Sequence, residues 1–251
     1  MKLEDSTVEL IDSMGSDLSV CNAARVSFHK ESEWENEELR MILVEIDSDT
    51  ARIQHPHFIG KLGSGDQKLV KYLAKHNHWS PFAHVFLSFR VKTHIVNERQ
   101  LFKHVVGLAA NSVSRRYVSD EPTFFLPDSW RTRPENVKQG SSETDTVTLM
   151  SDKEGVNYDV TINDAVSKYY QISLNMYEHL LESGVAPEQA RGVLPLFTNT
   201  EWIWSGSLAA FGRVCRQRLD SHAQAEVRVI AQAISDLVPS SMQHSWAALT
   251  E

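Results

Sequence analysis

The sequence predicts an α+β protein, rich in helix around one modest antiparallel sheet. Three observations carry that expectation. Long segments near Ile162–Ser183, Ser207–Arg218 and Ala223–Leu237 repeat apolar residues at helical spacing. Val85, Leu87, Phe89 and Val91 alternate with Phe86, Ser88, Arg90 and Lys92, the pattern of a strand with one strongly apolar face. Strand and helix patterns do not alternate along the chain, which argues against βαβ units.

Taken in order, Val8–Ile11 reads as a short strand closed by Ser13-Met14-Gly15. Asp17–Arg25 reads as a short helix, with Leu18, Cys21 and Ala24 or Arg25 on one face. Residues 29–66 are mixed: a charged stretch, an apolar patch at Met41–Ile46, an HPH triplet and a glycine-rich GKLGSGD. They predict an elaborated connection holding one helix or a hairpin. Gln67–His76 is expected as a helix, with Leu69, Val70 and Leu73 facing inward.

Val96–Val106 resumes helical spacing, and Thr123–Leu126 is strand-like up to Pro127. Residues 131–157 are polar, contain Gly140-Ser141-Ser142 and have no period, which predicts a mobile loop. Ile162–Ser183 is the longest predicted helix, with Ala165, Tyr169, Ile172, Met176 and Leu180 on one stripe and Gly184 as its stop. Pro187 suits the first turn of a short helix at Glu188–Leu194, and Pro239 ends the last predicted helix. Trp202-Ile203-Trp204 is most simply core, with an oligomer interface as second choice.

At 251 residues, 41% hydrophobic and 23% charged, the chain fits one sizeable globular domain or two small ones, and a single domain spanning 1–251 is expected. A net charge of −8 argues against general nucleic-acid binding, so any bound anion must meet a local cluster of arginines. Cys21 and Cys215 form neither a disulfide framework nor a zinc ligand set. With no apolar signal core and no spanning run, a soluble protein of a reducing, cytoplasmic compartment is expected, with no membrane partner.

The densest chemistry lies in Lys103–Tyr117, KHVVGLAANSVSRRY, which joins a histidine, an asparagine, two serines and two adjacent arginines. Arginine forks, hydroxyls and backbone N–H groups are the donors that hold a phosphate. Arg191 sits among small and apolar residues in APEQARGVLP, where an unpaired guanidinium is costly. It calls for a carboxylate or a ligand anion, and the same choice stands for Arg115, Arg116 and Arg218. His76, His78 and His84 lack supporting carboxylates or thiols at metal-site spacing, so no metal is expected. Cys21 and Cys215 lie among apolar neighbours without a nearby histidine, the setting of buried thiols and not of nucleophiles. Neither a G-x-G-x-x-G nor a Walker lysine motif is present.

Four blocks, in order, resemble the flavin-dependent thymidylate synthases: VELIDSMGSDLSVCNAARVSF (Val8–Phe28), HNHWSPFAHVFLSFRVKTHIVNERQ (His76–Gln100), ARGVLPLFTNTEWIWSGSL (Ala190–Leu208) and RLDSHAQAEVR (Arg218–Arg228). The family motif R-H-R-x-x-S-x-N-E-x-S-x-R-Y is similar to Lys103–Tyr117, which has one extra residue between histidine and asparagine. The resemblance implies a homotetramer with active sites between subunits, binding FAD, dUMP and a folate. In that family NADPH charges the flavin, methylenetetrahydrofolate supplies the one-carbon unit at uracil C5, and no protein cysteine attacks the base.

Carried over by position, the resemblance implies a dUMP pocket of Gln100, Lys103, Ser114, Arg115, Arg116, Arg191 and Arg218, with Arg218 as the catalytic residue acting on the pyrimidine ring. The FAD residues would be Ser27, His78, Ser80, His104, Ser207, Arg213 and His222. Some positions depart from the pattern. Lys103 replaces the motif's first Arg, Val105 or Val106 its second, and Ser112 its Glu. Ser207 and Ala209 stand at flavin-facing Asn and Arg positions, and Arg213 where another Asn is usual. A viral branch of the family also carries K-H-x-V-G-L and R-R-Y, which would place the enzyme in a host's cytoplasm; Ser112 and Gln217 are not accounted for by that branch. The implied activity is reductive methylation of dUMP to dTMP. Ser112 leaves open methylation or hydroxymethylation of another pyrimidine deoxynucleotide such as dCMP, or a catalytically weak nucleotide- or flavin-binding homologue.

Overall fold

A computed structural model describes residues 1–45, 52–118, 120–135, 140–142, 144–151, 155 and 157–251. Its centre is a four-stranded antiparallel sheet built from β1 (Thr7–Met14), β2 (Phe86–His94), β3 (Leu108–Ser112) and β4 (Asn199–Ser207), in the order β1-β2-β4-β3. The α+β expectation with a modest antiparallel sheet is met. The alternation in β2 does what a period of two dictates: Leu87, Phe89 and Val91 are buried while Ser88 and Arg90 point to the other face. In β4 the same rule buries Trp202 and Trp204 at 1% exposure each and turns Ile203 away. The expected core role of the tryptophans holds: the Trp204 ring meets Phe211 edge-on at 5.2 Å, and Phe102 meets Trp202 at 5.3 Å.

Among the described residues six helices frame this sheet: α1 (Asp17–Arg25), α2 (Ser64–Lys75), α3 (Ile95–Leu101), α5 (Leu208–Arg218), α6 (Ala225–Asp236) and α7 (Gln243–Thr250); between them in the chain lies the long α4 (Ile162–Glu182). The main core joins the inner sheet face to Val20 and Cys21 of α1, Val70 and Leu73 of α2, Phe211 and Val214 of α5, Ile230 of α6 and Trp246 of α7. The buried Asp17 carboxylate is held by the N–H groups of His244 (3.0 Å) and Ser245 (2.7 Å), which ties the start of α1 to α7. A second cluster gathers Phe124, Tyr170, Leu174 and Tyr177.

Several boundaries differ from expectation. Residues 29–66 resolve into a hairpin, Trp34–Glu45 with Arg52–Leu62, which selects one of the two options for that connection; the end of its apolar patch, Ile46, lies outside the described residues. Helix α2 starts three residues early, because the Gly63 carbonyl already accepts from the Asp66 and Gln67 N–H groups. Helix α3 stops at Leu101 and not Val106, since Lys103–Gly107 must double back into β3. The strand expected at Thr123–Leu126 shrinks to Thr123–Phe124, paired in parallel with Lys2–Leu3. The loop expected at 131–157 contains two small antiparallel ladders, Trp130–Arg131 with Thr146–Val147 and Leu149–Ser151 with Asn157–Thr161; residues 136–139, 143, 152–154 and 156 lie outside the described residues. Along α4, Tyr169, Ile172 and Met176 are about half exposed (54%, 57% and 49%), while Tyr170, Ser173, Leu174 and Tyr177 face inward. This helix carries apolar residues on two faces, and one chain covers only one of them.

Candidate active site

The junction of β3, β4 and α5 positions the motif residues. Gly107 has φ of +75°, a left-handed conformation that reverses the chain between α3 and β3. Gly206 permits the close approach: a Cβ there would stand 2.4 Å from the Gly107 carbonyl oxygen. Ser207 N–H donates to that same oxygen at 3.2 Å, and its Oγ caps α5 by accepting from Ala210 N–H at 3.3 Å. Ser207 is thus buried and structurally employed, with its hydroxyl proton and one Oγ lone pair left to offer.

From this junction α5 runs to Arg218, whose Nε donates to His104 Nε2 at 2.9 Å. Receiving that bond makes His104 a neutral imidazole with its proton on Nδ1. Its pKa is held below the ordinary value by burial, then by the charges of Arg218 and Arg213. Arg213 donates to the carbonyls of Val106 and Ala209. Among the described residues neither Arg213 nor Arg218 has a carboxylate partner, so the cluster keeps two unneutralised cations. Burial lowers the Arg218 pKa from its ordinary value.

A second location is a cleft of about 670 Å³ where Arg115, Arg191, Glu98 and Arg99 converge from three separate segments. Arg115 bonds the Asp120 carbonyl and lies 3.5 Å from its carboxylate, so the internal salt bridge left open for it is present. Arg191 is exposed and not packed among apolar groups as its neighbours suggested. Among the described residues it has no carboxylate partner, the first of the two options that its sequence setting left open. Ser114–Tyr117 forms a turn: Tyr117 N–H donates to the Ser114 carbonyl at 2.9 Å, and the Arg116 N–H and Nε both approach Ser114 Oγ at 3.4 Å. The Arg116 guanidinium lies 5.0 Å from the Tyr117 ring centre. Lys103 is exposed, and the buried Gln100 Oε1 has no hydrogen-bond partner among the described residues.

The other expected residues lie apart. Ser27 is in the 3-10 turn Val26–Phe28 after α1, and His78 and Ser80 follow α2 just before the turn Pro81–His84. That second turn packs on α1 and α5, and Val85 carbonyl accepts from Leu208 N–H at 2.7 Å, so these segments border the start of α5. His222 is exposed beside Asp220, with Nδ1 2.9 Å from Oδ1, and lines a separate cavity of about 790 Å³ with His94, Arg131 and Glu226. One chain therefore brings together His104, Ser207, Arg213 and Arg218, and separately Arg115 and Arg191, but does not join these groups to His222. Glu98 was not foreseen: nothing in its spacing marks a residue that meets Ser112 only after the chain reverses at Gly107.

Both thiols are sealed in the core, with Cys21 and Cys215 pKa values pushed up to about 12, mainly by burial. Neither is available as a thiolate at neutral pH. A family model described as "Thymidylate synthase complementing protein" matches residues 9–242. The chain belongs to the flavin-dependent thymidylate synthase family. A relative from Thermus thermophilus named flavin-dependent thymidylate synthase is 31% identical over 249 residues, covering 99% of this chain and 77% of its own length. Another of that name, from Kosmotoga olearia, is 32% identical over 246 residues, covering 98% and 90%. Among solved structures, a UMP/dUMP methylase from Streptomyces cacaoi bound with 5-Br dUMP superposes with a TM-score of 0.73 at 26% identity, covering 100% of this chain and 97% of that one. The chain is thus an enzyme of a methyltransferase family whose cofactor is FAD and whose usual co-substrates are NADPH and methylenetetrahydrofolate.

Proposed function

We propose that this enzyme reductively methylates dUMP to dTMP, taking carbon from methylenetetrahydrofolate, as a homotetramer with sites completed between subunits. The observation that carries the reading is the Arg218–His104 pair beside Arg213, a cationic cluster with no carboxylate partner among the described residues. Such a donor set fits an electron-rich isoalloxazine and a pyrimidine ring carrying developing negative charge. When bound, the flavin supplies the reducing equivalents. His104, Arg213 and Ser207 would hold it, with Ser27, His78, Ser80 and His222 reaching it from other segments or chains.

Arg218 stabilises charge on the uracil as C5 becomes nucleophilic, and the neutral His104 holds the guanidinium in place by accepting from Nε. Arg115, Arg116 and Arg191, with Ser114 and Lys103, grip the phosphate, and Gln100 offers an acceptor nearby. Because neither thiol can ionise near neutral pH, the base is activated without attack by a protein sulfur. The bare stripe of Tyr169, Ile172 and Met176 supports assembly with further copies, since a face of this kind is buried in an oligomer. The 131–157 region and the chain as a single domain are part of the same reading.

The deciding experiment incubates the protein with methylenetetrahydrofolate, NADPH and either dUMP or dCMP, reading product mass, with the visible spectrum of the purified protein reporting the flavin. Production of dTMP from dUMP is expected. Turnover of dCMP alone, or a hydroxymethylated product, would replace this reading with the changed-base alternative, and a protein that takes up no FAD would remove it.

A further inference from the structure

The motif residue that departs furthest in chemistry is Ser112, a hydroxyl where the family pattern has a carboxylate. Ser112 ends β3, the edge strand, opposite Trp202 of β4. Its Oγ donates to Glu98 Oε1 at 2.8 Å. Glu98 belongs to α3 and lines the cleft that holds Arg115 and Arg191. The carboxylate absent from position 112 is thus present in space, borne by a different element and steered by the serine that took its place. One acceptor site on Glu98 is used by Ser112; the remaining lone pairs are free of any other partner among the described residues.

We propose that Glu98 is a substrate-binding residue that accepts a hydrogen bond from the sugar hydroxyl of the nucleotide, and that Ser112 positions it. This rests on the cleft being the nucleotide pocket of the dUMP reading. An ionised carboxylate only accepts, so it must meet a donor. Besides its phosphate, dUMP offers two, the ring N3–H and the 3′-hydroxyl. The ring N–H is flanked by two carbonyl oxygens whose partial charges repel a carboxylate. The hydroxyl has no such neighbours, and the phosphate it accompanies is matched by Arg99, Arg115 and Arg191 of the same cleft.

The test measures binding of dUMP and 2′,3′-dideoxy-UMP to the flavin-loaded protein by calorimetry. Wild type is expected to hold dUMP roughly tenfold tighter than the dideoxy compound, the scale of one hydrogen bond to a charged group. Glu98→Ala should abolish that difference while binding the dideoxy compound as wild type does. Ser112→Ala should shrink the difference and raise KM for dUMP with little change in kcat, an effect that loss of fold would not produce. Ser112→Glu is expected to weaken dUMP binding in the wild-type background, where two carboxylates would collide, and to restore it in Glu98→Ala. If Glu98→Ala weakens both nucleotides equally, or neither, the proposal is wrong while the dUMP reading stands. If wild type binds neither nucleotide, the dUMP reading falls and takes this one with it.

Discussion

Arg218 and His104 are joined by a single 2.9 Å hydrogen bond that ties the last turn of α5 to the segment leaving α3, 114 residues earlier in the chain. The bond needs an unprotonated His104 Nε2, and burial beside two arginines supplies that condition by lowering the imidazole pKa. The pair is therefore a preset acceptor and cation, and in the function proposed above it acts on the substrate. Arg218→Ala is expected to reduce methylation by about 10²- to 10³-fold, the cost typical of losing one preorganised charge-stabilising donor. Arg218→Lys keeps the charge but loses the fork and the Nε donor, so it should not restore the rate. The rate should show no inflection at the ordinary histidine value of ~6.5, because His104 stays neutral to lower pH. An unchanged rate in Arg218→Ala would remove Arg218 from its assigned role.

The two cysteines should be silent in the native protein. Burial raises both thiols to about 12, so alkylation by iodoacetamide at pH 7.5 should proceed only after unfolding. Cys215→Ala should cost about 1–2 kcal/mol of stability through lost packing, yet retain methylation. Rapid native labelling, or loss of turnover with the fold intact, would contradict the mechanism.

His94 gives the stability a pH dependence of definite sign. Its ring is 1% exposed, lies 4.8 Å from the Phe125 ring and 4.9 Å from that of Phe197, and neither nitrogen has a partner among the described residues. Burial lowers its pKa from 6.5 to about 4, against an opposing pull from Glu226. The unfolded chain binds this proton more readily than the folded one, so stability is intact above pH 6.5 and falls as pH drops toward 4. The loss is on the order of 3 kcal/mol when complete. Urea unfolding at pH 7 and pH 5 should show the decline in wild type and a shallower one in His94→Phe; parallel declines would assign it to other groups.

Gly206→Ala tests the β3–β4 junction. The added Cβ would stand 2.4 Å from the Gly107 oxygen and 2.6 Å from Leu108 Cδ2, distances that force backbone apart. A destabilisation of about 3 kcal/mol and a Tm drop of roughly 10 °C are expected. A neutral result in thermal denaturation would show that the strands separate at no cost.

The uncovered stripe of α4 is tested by Ile172→Glu together with Met176→Lys. Both side chains are about half exposed, so the folded chain should tolerate charge there. Light scattering is expected to report a smaller assembly with an unchanged circular dichroism spectrum. An unaltered mass would take this face out of the interface.

Elements with a strong period were legible from sequence: the alternation of β2, the buried Trp202 and Trp204, the helical spacing of α5 and α6, and the inward Val70 and Leu73. Burial follows directly from side-chain period, so local pattern carries it. Boundaries were less legible where a distant partner sets them. Helix α3 ends at Leu101 because Gly107 turns the chain toward β4, and α4 shows two apolar faces that a single stripe does not separate.

The family and the arginines Arg115, Arg116, Arg191 and Arg218 were determined by sequence alone, because residue types at fixed spacing in four ordered blocks survive without coordinates. Only the tertiary structure decided which of these meet. It put Arg218 on His104, left Arg191 without a partner among the described residues and exposed to solvent, and gave Ser112 the carboxylate of Glu98. Those contacts join residues from separate elements, and their distances depend on how strands and helices pack, which no local pattern encodes.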